Sequence, residues 1–334
     1  MASCSFANYC VEKGHDVAIM ALFQKEHSID IKPQIKIYEP TFFNGKKLLG
    51  KIIYHLRLIP FIKTHIRDFN PDVVVAHGEW TNGVVMLALK GRGIPVYLQD
   101  HMNPDSRFDF IHRFLNNRYY PKATGVIALT EYAKDVMKSK YRLKNIIAIP
   151  NPIRDLEVEK GKEENSILTV GRLSKEKGHR FLVEAFKMCN HTGWRLDIVG
   201  DGPEKEELEL MANGNNNIVF HGFQTNINPY LAKAKIFVLP SLTENFPLAL
   251  IEAMSVGKAC ISTNCLAGKD VIAVDGVNGL VVNKGDTDAL AHAIDKLIKD
   301  EHLRSQLSSE AIKIKSELSK EKIYNKYLDF ISPK

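Results

Sequence analysis

No stretch of this chain stays apolar for the ~18 residues that a membrane-spanning helix needs. Its first residues do not read as a charged-then-apolar leader. Cysteine is sparse: Cys4, Cys10, Cys189, Cys260 and Cys265 make an odd number without zinc-ligand spacing, which excludes a disulfide scaffold and points to reduced thiols. These absences make the cytoplasm the expected compartment, where the Asn190-His191-Thr192 sequon goes unused. No internal repeat or low-complexity segment is present, and no nucleic-acid motif accompanies the charge, so nucleic acid is not an expected partner.

What is present is a globular composition, 45% hydrophobic and 25% charged over 334 residues, a length that suggests two domains. Charge is unevenly shared. Residues 1–155 hold 22 Lys+Arg against 14 Asp+Glu (+8) and the remainder 23 against 25 (−2), which together give the net +6. A basic first half suits an anionic partner such as an acidic membrane surface. Within it, residues 46–57 place apolar side chains at helical spacing among Lys46, Lys47, Lys51 and Arg57. That pattern fits a helix lying on a membrane, or a crossover helix packed on a sheet with a basic rim.

Short β-branched runs alternate with helix-period segments, the pattern of parallel sheets built from βα units. In the first half strands are expected at 16–22, 35–38, 72–76, 95–98, 125–128 and 146–149, with helices at 46–68, 82–91, 108–119 and 131–140. After Asn151-Pro152 the charged stretch Asp155 to Asn165 has linker composition. Strands then restart at 166–170, 195–199, 217–221, 236–239, 259–262 and 279–282, and residues 303–331 read as helical and polar. The architecture implied is two doubly wound α/β domains facing each other. Ligands of open parallel sheets bind beyond the carboxyl ends of strands. His77, His101, Arg172, Gly200 and Glu244 all fall at such ends.

Glu244 follows an apolar strand in a loop, and Glu252 lies on a helix entered through Pro247. A proline at a first helical position leaves nearby N–H groups free to face a ligand. Eight helical residues rise about 12 Å, the reach of a nucleotide diphosphate from ribose to sugar. Gly171-Arg172-Leu173-Ser174-Lys175-Glu176-Lys177-Gly178 joins a strand to a helix, with glycines flanking Arg172 and Lys177, a pattern that lets backbone and cations close on a phosphate. Gly200-Asp201-Gly202-Pro203 is a tight turn after a strand, where close backbone approach is the plausible role. Asp286-Thr287-Asp288 superficially offers a metal-binding D-x-D, but before Ala289-Leu290-Ala291 it reads as a helix cap.

The two glutamates, the Pro-Ser after the strand, Pro247 and the later Asp275-Gly276-Val277-Asn278-Gly279-Leu280-Val281-Val282 together resemble the E-x7-E signature of the retaining glycosyltransferases of family 4. The usual Glu-Gly-Phe-Gly loop is altered at Asn245 and Pro247. The resemblance spans nearly the whole chain and is most specific from Val170 to Val282. It implies the GT-B fold: two facing Rossmann-like domains with a cleft between them, at 1–152 for the acceptor and 153–318 for the donor, with 319–334 crossing back to the first.

By the resemblance, Glu252 holds the donor ribose, Glu244 the donor sugar, and Arg172 with Lys177 the pyrophosphate. Gly171, Gly200, Gly222, Asn245, Phe246 and Leu248 line the donor site, Gly222 near the base. His101 enters the cleft from the first domain, although a histidine at a strand end also simply satisfies neighbouring backbone, and His77 is a weaker companion. Asn151 matches a junction asparagine with a turn role, and no catalytic role carries over to Asp270. The implied reaction moves a sugar from a nucleotide diphosphate, with UDP the expected carrier, to a glycan or lipid-linked acceptor with retention. It needs no metal or other cofactor. The expected place is the cytoplasm, where the basic first half allows peripheral contact with the inner face of the membrane. Alternatives are a non-catalytic partner subunit of the same fold, or a sugar-nucleotide epimerase or hydrolase. The family's first strand and the glycine-rich loop after it have no counterpart before Ser5, so the expectation is an internal start or a truncated, impaired form.

Overall fold

Every strand pairing among the described residues is parallel. The computed structural model describes residues 2–22, 31–42, 48–78, 80–101, 110–154, 156, 158, 163–265 and 272–332. They form two units, Met1–Pro152 with Glu321–Lys334, and Ile153–Lys320. Among the described residues no helix is long and apolar enough to cross a membrane.

The first unit runs α1 (Ala2–Glu12), β1 (Ala18–Met20), β2 (Lys36–Tyr38), α2 (Leu48–Phe69), β3 (Val74–His77), α3 (Asn82–Ala88), β4 (Val96–Gln99), α4 (Phe110–Tyr119), β5 (Gly125–Ala128), α5 (Glu131–Tyr141) and β6 (Ile146–Ala148). α2 buries Tyr54, Leu58, Ile62 and Ile66, one stripe at helical spacing, against Ala76, Val96, Leu98 and Val126 of the strands. α3 stops at Ala88, short of the expected 91, because the chain turns there through Gly91 and Gly93 at φ +82° and +71°. The strands form two sheets, β1-β2 and β3-β4-β5-β6. Among the described residues β1 and β3 are not paired with each other.

The second unit is a six-stranded sheet with helices on both faces. It contains β7 (Ser166–Val170), α6 (His179–Met188), β8 (Arg195–Val199), α7 (Lys205–Ala212), β9 (Ile218–Phe220), α8 (Asn228–Lys233), β10 (Ile236–Leu239), α9 (Leu248–Ser255), β11 (Ala259–Thr263), β12 (Leu280–Val282), α10 (Thr287–Lys299), α11 (Glu301–Ala311) and α12 (Ile314–Glu317). Along β10, Ile236 and Val238 face one core with Leu182, Phe186 and Ile294, while Phe237 and Leu239 face the other with Leu231, Ile251 and Met254. This period-2 division is what a strand covered on both sides requires. The strand order is β12-β11-β10-β7-β8-β9, which is the doubly wound Rossmann order with its reversal between β7 and β10. Asp286 caps α10, its carboxylate accepting from the Ala289 amide at 2.9 Å, as the sequence suggests.

The expected final helical run is three helices, α11, α12 and then α13 (Lys320–Ile331), broken at residues 312–313 and 318–319. α13 belongs with the first unit, where Tyr324 and Tyr327 pack on Phe6 at 5.3 and 5.2 Å between ring centroids. The Gln99 amide donates to the Tyr327 hydroxyl there.

Candidate functional site

The reversal between β7 and β10 gathers most of the predicted residues of the second unit. β7 ends at Val170, and the loop from Gly171 to Gly178 leads into α6. Gly178 is left-handed at φ +63°, and a Cβ there meets the Pro240 carbonyl oxygen at 2.2 Å, so only glycine lets this loop lie on the end of β10. The Leu242 amide donates to the Glu176 carbonyl at 2.8 Å, a second tie between the loops.

These ties bring together charges far apart in sequence. Lys177 Nζ lies 2.6 Å from Glu244 Oε1, and the Ser241 hydroxyl donates to the same oxygen at 2.7 Å. The Glu244 side chain is only 9% exposed and Lys177 29%, so the carboxylate depends on these two donors for solvation. Arg172 is exposed at the head of the loop. Glu176 is held below its ordinary pKa by the Ser174 hydroxyl, then by backbone and by the fields of Arg172 and Lys177.

Three predicted glycines form one stack of loop backbones. The Gly200 amide donates to the Gly222 carbonyl at 2.9 Å, and a Cβ on Gly200 sits 1.8 Å from the Gly171 carbonyl oxygen. Gly200 has φ +149° and Gly222 +66°. Bare backbone is thus what the strand ends of β7, β8 and β9 present.

Glu252 sits on the buried side of α9, 3% exposed. Arg154 holds its Oε1 through Nε at 2.6 Å and a terminal guanidinium nitrogen at 2.5 Å. Burial pushes the Glu252 carboxyl above its ordinary pKa, and the Arg154 charge and hydrogen bond act against that. The path between the two glutamates differs from the expected one. α9 begins at Leu248 with Pro247 as its cap at ψ 77°, so only Leu248 to Glu252 is helical, not the whole eight-residue interval. Asn245 and Phe246 are partly buried in the loop before α9, and Leu248 is 43% exposed at its start. Asp270 lies outside the described residues, as do Lys46 and Lys47.

In the first unit, His77 and His101 end neighbouring strands β3 and β4, and their rings stack at 5.9 Å and 15°. Burial, then the nearby His101 charge, pushes His77 down to about 3. Behind them Asp100 accepts from Asn82 at 2.8 Å and from the Tyr120 hydroxyl at 2.7 Å, a buried network that fixes the end of β4.

Two residues at the second unit's site carry no signal in the sequence reading. Arg154 is a single cation beside a linker, 98 positions from its partner. His179 opens α6 next to Gly171, 1% exposed, with Nδ1 lacking a hydrogen-bond partner. Burial and then Lys177 push it down to about 4, so it is a neutral imidazole. Among the described residues no group of His, Cys, Asp and Glu is arranged to hold a metal ion.

Two family models divide the sequence: glycosyltransferase family 4 matches residues 4–155, and glycosyl transferases group 1 matches residues 154–314. An uncharacterized glycosyltransferase of Haemophilus influenzae is 26% identical over 343 residues, covering 97% of this chain and 93% of its own. The GalNAc-alpha-(1->4)-GalNAc-alpha-(1->3)-diNAcBac-PP-undecaprenol alpha-1,4-N-acetyl-D-galactosaminyltransferase of Campylobacter jejuni is 25% identical over 310 residues, 90% of this chain and 85% of its own. Among solved structures, HepE of Anabaena in complex with UDP and glucose superposes with a TM-score of 0.78 at 19% identity, over 100% of this chain and 95% of that one.

Proposed function

We propose that this chain, a glycosyltransferase with the two Rossmann-like domains of the GT-B fold, moves a sugar from a nucleotide diphosphate, UDP being the favoured carrier, onto a hydroxyl of a glycan or lipid-linked acceptor with retention of configuration. The observation that carries this reading is the Lys177–Glu244 pair at the β7/β10 reversal, on the same sheet whose strand ends stack the backbones of Gly171, Gly200 and Gly222. Relatives with glycan substrates and a neighbour with bound UDP and glucose support the substrate class.

Breaking the bond between the anomeric carbon and the diphosphate oxygen leaves negative charge on the departing phosphate. In this reading Lys177 and exposed Arg172 stabilise that charge, which leaves no role for a metal ion. Glu244, relieved of Lys177 as the diphosphate takes the ammonium, accepts from donor-sugar hydroxyls, and Glu252 accepts from the ribose. The acceptor oxygen bonds to the anomeric carbon on the face the phosphate leaves, and its proton passes to the leaving phosphate. Asn245, Phe246 and Leu248 border the donor in this reading, and His101 serves the acceptor side from the first unit.

Peripheral contact with an acidic membrane on its cytoplasmic side is part of the proposal. One face of α2 turns Ile53, Leu56, Arg57, Pro60, Lys63 and Arg67 to solvent, opposite its buried stripe, with Leu56 62% exposed. Apolar side chains flanked by cations suit a headgroup layer. The reading is tested by a panel of nucleotide sugars, scored for binding and slow hydrolysis, with the anomer of the released sugar read by NMR. A β-configured sugar released from an α-linked donor contradicts retention, and a panel without a binder contradicts the substrate class.

A further inference from the structure

Glu252 and Arg154 form a pair whose two halves live in different surroundings. The carboxylate is buried on α9 beside Ile251, Ala253 and Met254, while the arginine side chain is 49% exposed. Arg154 is nevertheless anchored. The residue before it, Ile153, buries its side chain in the core on that face of the sheet, and its amide donates to the Leu318 carbonyl at 2.9 Å. The guanidinium therefore reaches inward from a fixed backbone.

Nε and a terminal nitrogen of Arg154 both meet Oε1 of Glu252. A side-on guanidinium that takes one carboxylate oxygen sets the plane of the carboxylate and turns its second oxygen to a defined direction. A buried carboxylate without such a partner takes up a proton more readily and loses acceptor capacity.

We infer that Arg154 is a positioning residue: it keeps Glu252 ionised and fixes Oε1 so that Oε2 meets the ribose hydroxyls of the donor. This rests on the ribose role given to Glu252 above. The opposite arrangement, in which Arg154 plugs the site and must leave before a nucleotide enters, predicts the reverse response to its removal.

UDP and 2′,3′-dideoxy-UDP are titrated by calorimetry from pH 5 to 8 into the parent, Arg154→Gln, Arg154→Lys and Glu252→Gln, with thermal unfolding as the check that each is folded. The parent is expected to prefer UDP. Arg154→Gln should narrow that preference about tenfold, the scale of a charge-assisted hydrogen bond. Its UDP affinity should also fall away at higher pH than the parent's on acidification, because Glu252 then protonates earlier. Arg154→Lys keeps the charge without the fork, so its pH profile should stay near the parent's while the preference drops about threefold. Unchanged or tighter UDP binding by Arg154→Gln, with an unchanged profile, overturns the inference. If that variant does not fold, an unchanged preference in Arg154→Lys overturns it instead. Should Glu252→Gln keep the full preference for UDP, the ribose role itself falls. If Glu252→Gln abolishes the preference and Arg154→Gln leaves it intact, the ribose role stands and Arg154 does not serve it.

Discussion

Lys177 and Glu244, 67 positions apart, share a 2.6 Å ion pair in which the carboxylate is the more buried partner. The asymmetry sets the outcome of breaking the pair. Lys177→Ala leaves a largely desolvated carboxylate with the Ser241 hydroxyl, and should cost about 1–3 kcal/mol of stability. Glu244→Gln leaves a lysine that water can reach, and should cost less than about 1 kcal/mol. Denaturant unfolding of both single variants and the double variant checks this; equal losses contradict the burial argument.

Positive charge from Arg172 and Lys177 gives a second prediction. Arg172→Ala should lower turnover by roughly 10²–10³, whereas a chelator should leave the parent unchanged. Activity that a chelator abolishes and magnesium or manganese restores contradicts the proposed source of charge.

His179 makes stability depend on acid. Its pKa in the fold, about 4, lies below the ordinary 6.5, so the unfolded chain binds the extra proton between those values. That contribution is intact above pH 6.5 and is lost as pH falls towards 4, by about 3 kcal/mol in all. Unfolding midpoints across this range should slope less steeply in His179→Gln; an identical slope contradicts a neutral buried imidazole.

The outer face of α2 supplies a membrane test. Co-sedimentation with phosphatidylglycerol vesicles should weaken with added salt, and further in Arg57→Glu with Lys63→Glu, each cation contributing about 1 kcal/mol near the surface. Leu56→Ser should weaken it at every salt concentration. Binding indifferent to all three changes contradicts this face as the contact.

Much of this was legible in the residue pattern because strands covered on both faces announce themselves as continuous apolar runs. The expected strands 125–128, 166–170, 195–199 and 236–239 have the observed ends. Gly171 and Gly200 are recognisable from their places after strands and Gly222 through the family resemblance, and the structure stacks their backbones. The helical spacing expected between Glu244 and Glu252 does not hold because Pro247 caps α9 rather than occupying its first turn, a backbone choice that the residue type does not settle. Arg154 stayed hidden for a different reason: an isolated arginine beside a polar stretch has no local pattern, and its partner comes from packing across 98 positions. His179 likewise looks like a solvated helix start until the neighbouring loop closes over it.

If the β7/β10 reversal of the second unit breaks the bond between a sugar and a nucleoside diphosphate, that cleavage should be visible without an acceptor. Its most direct measurement is the rate of nucleoside diphosphate release from a bound nucleotide sugar without acceptor, in the parent and in Lys177→Ala, with binding measured alongside. Release by the parent should be slow, and in the variant slower by roughly 10²–10³, with a smaller change in affinity. Equal rates in the two proteins would contradict it.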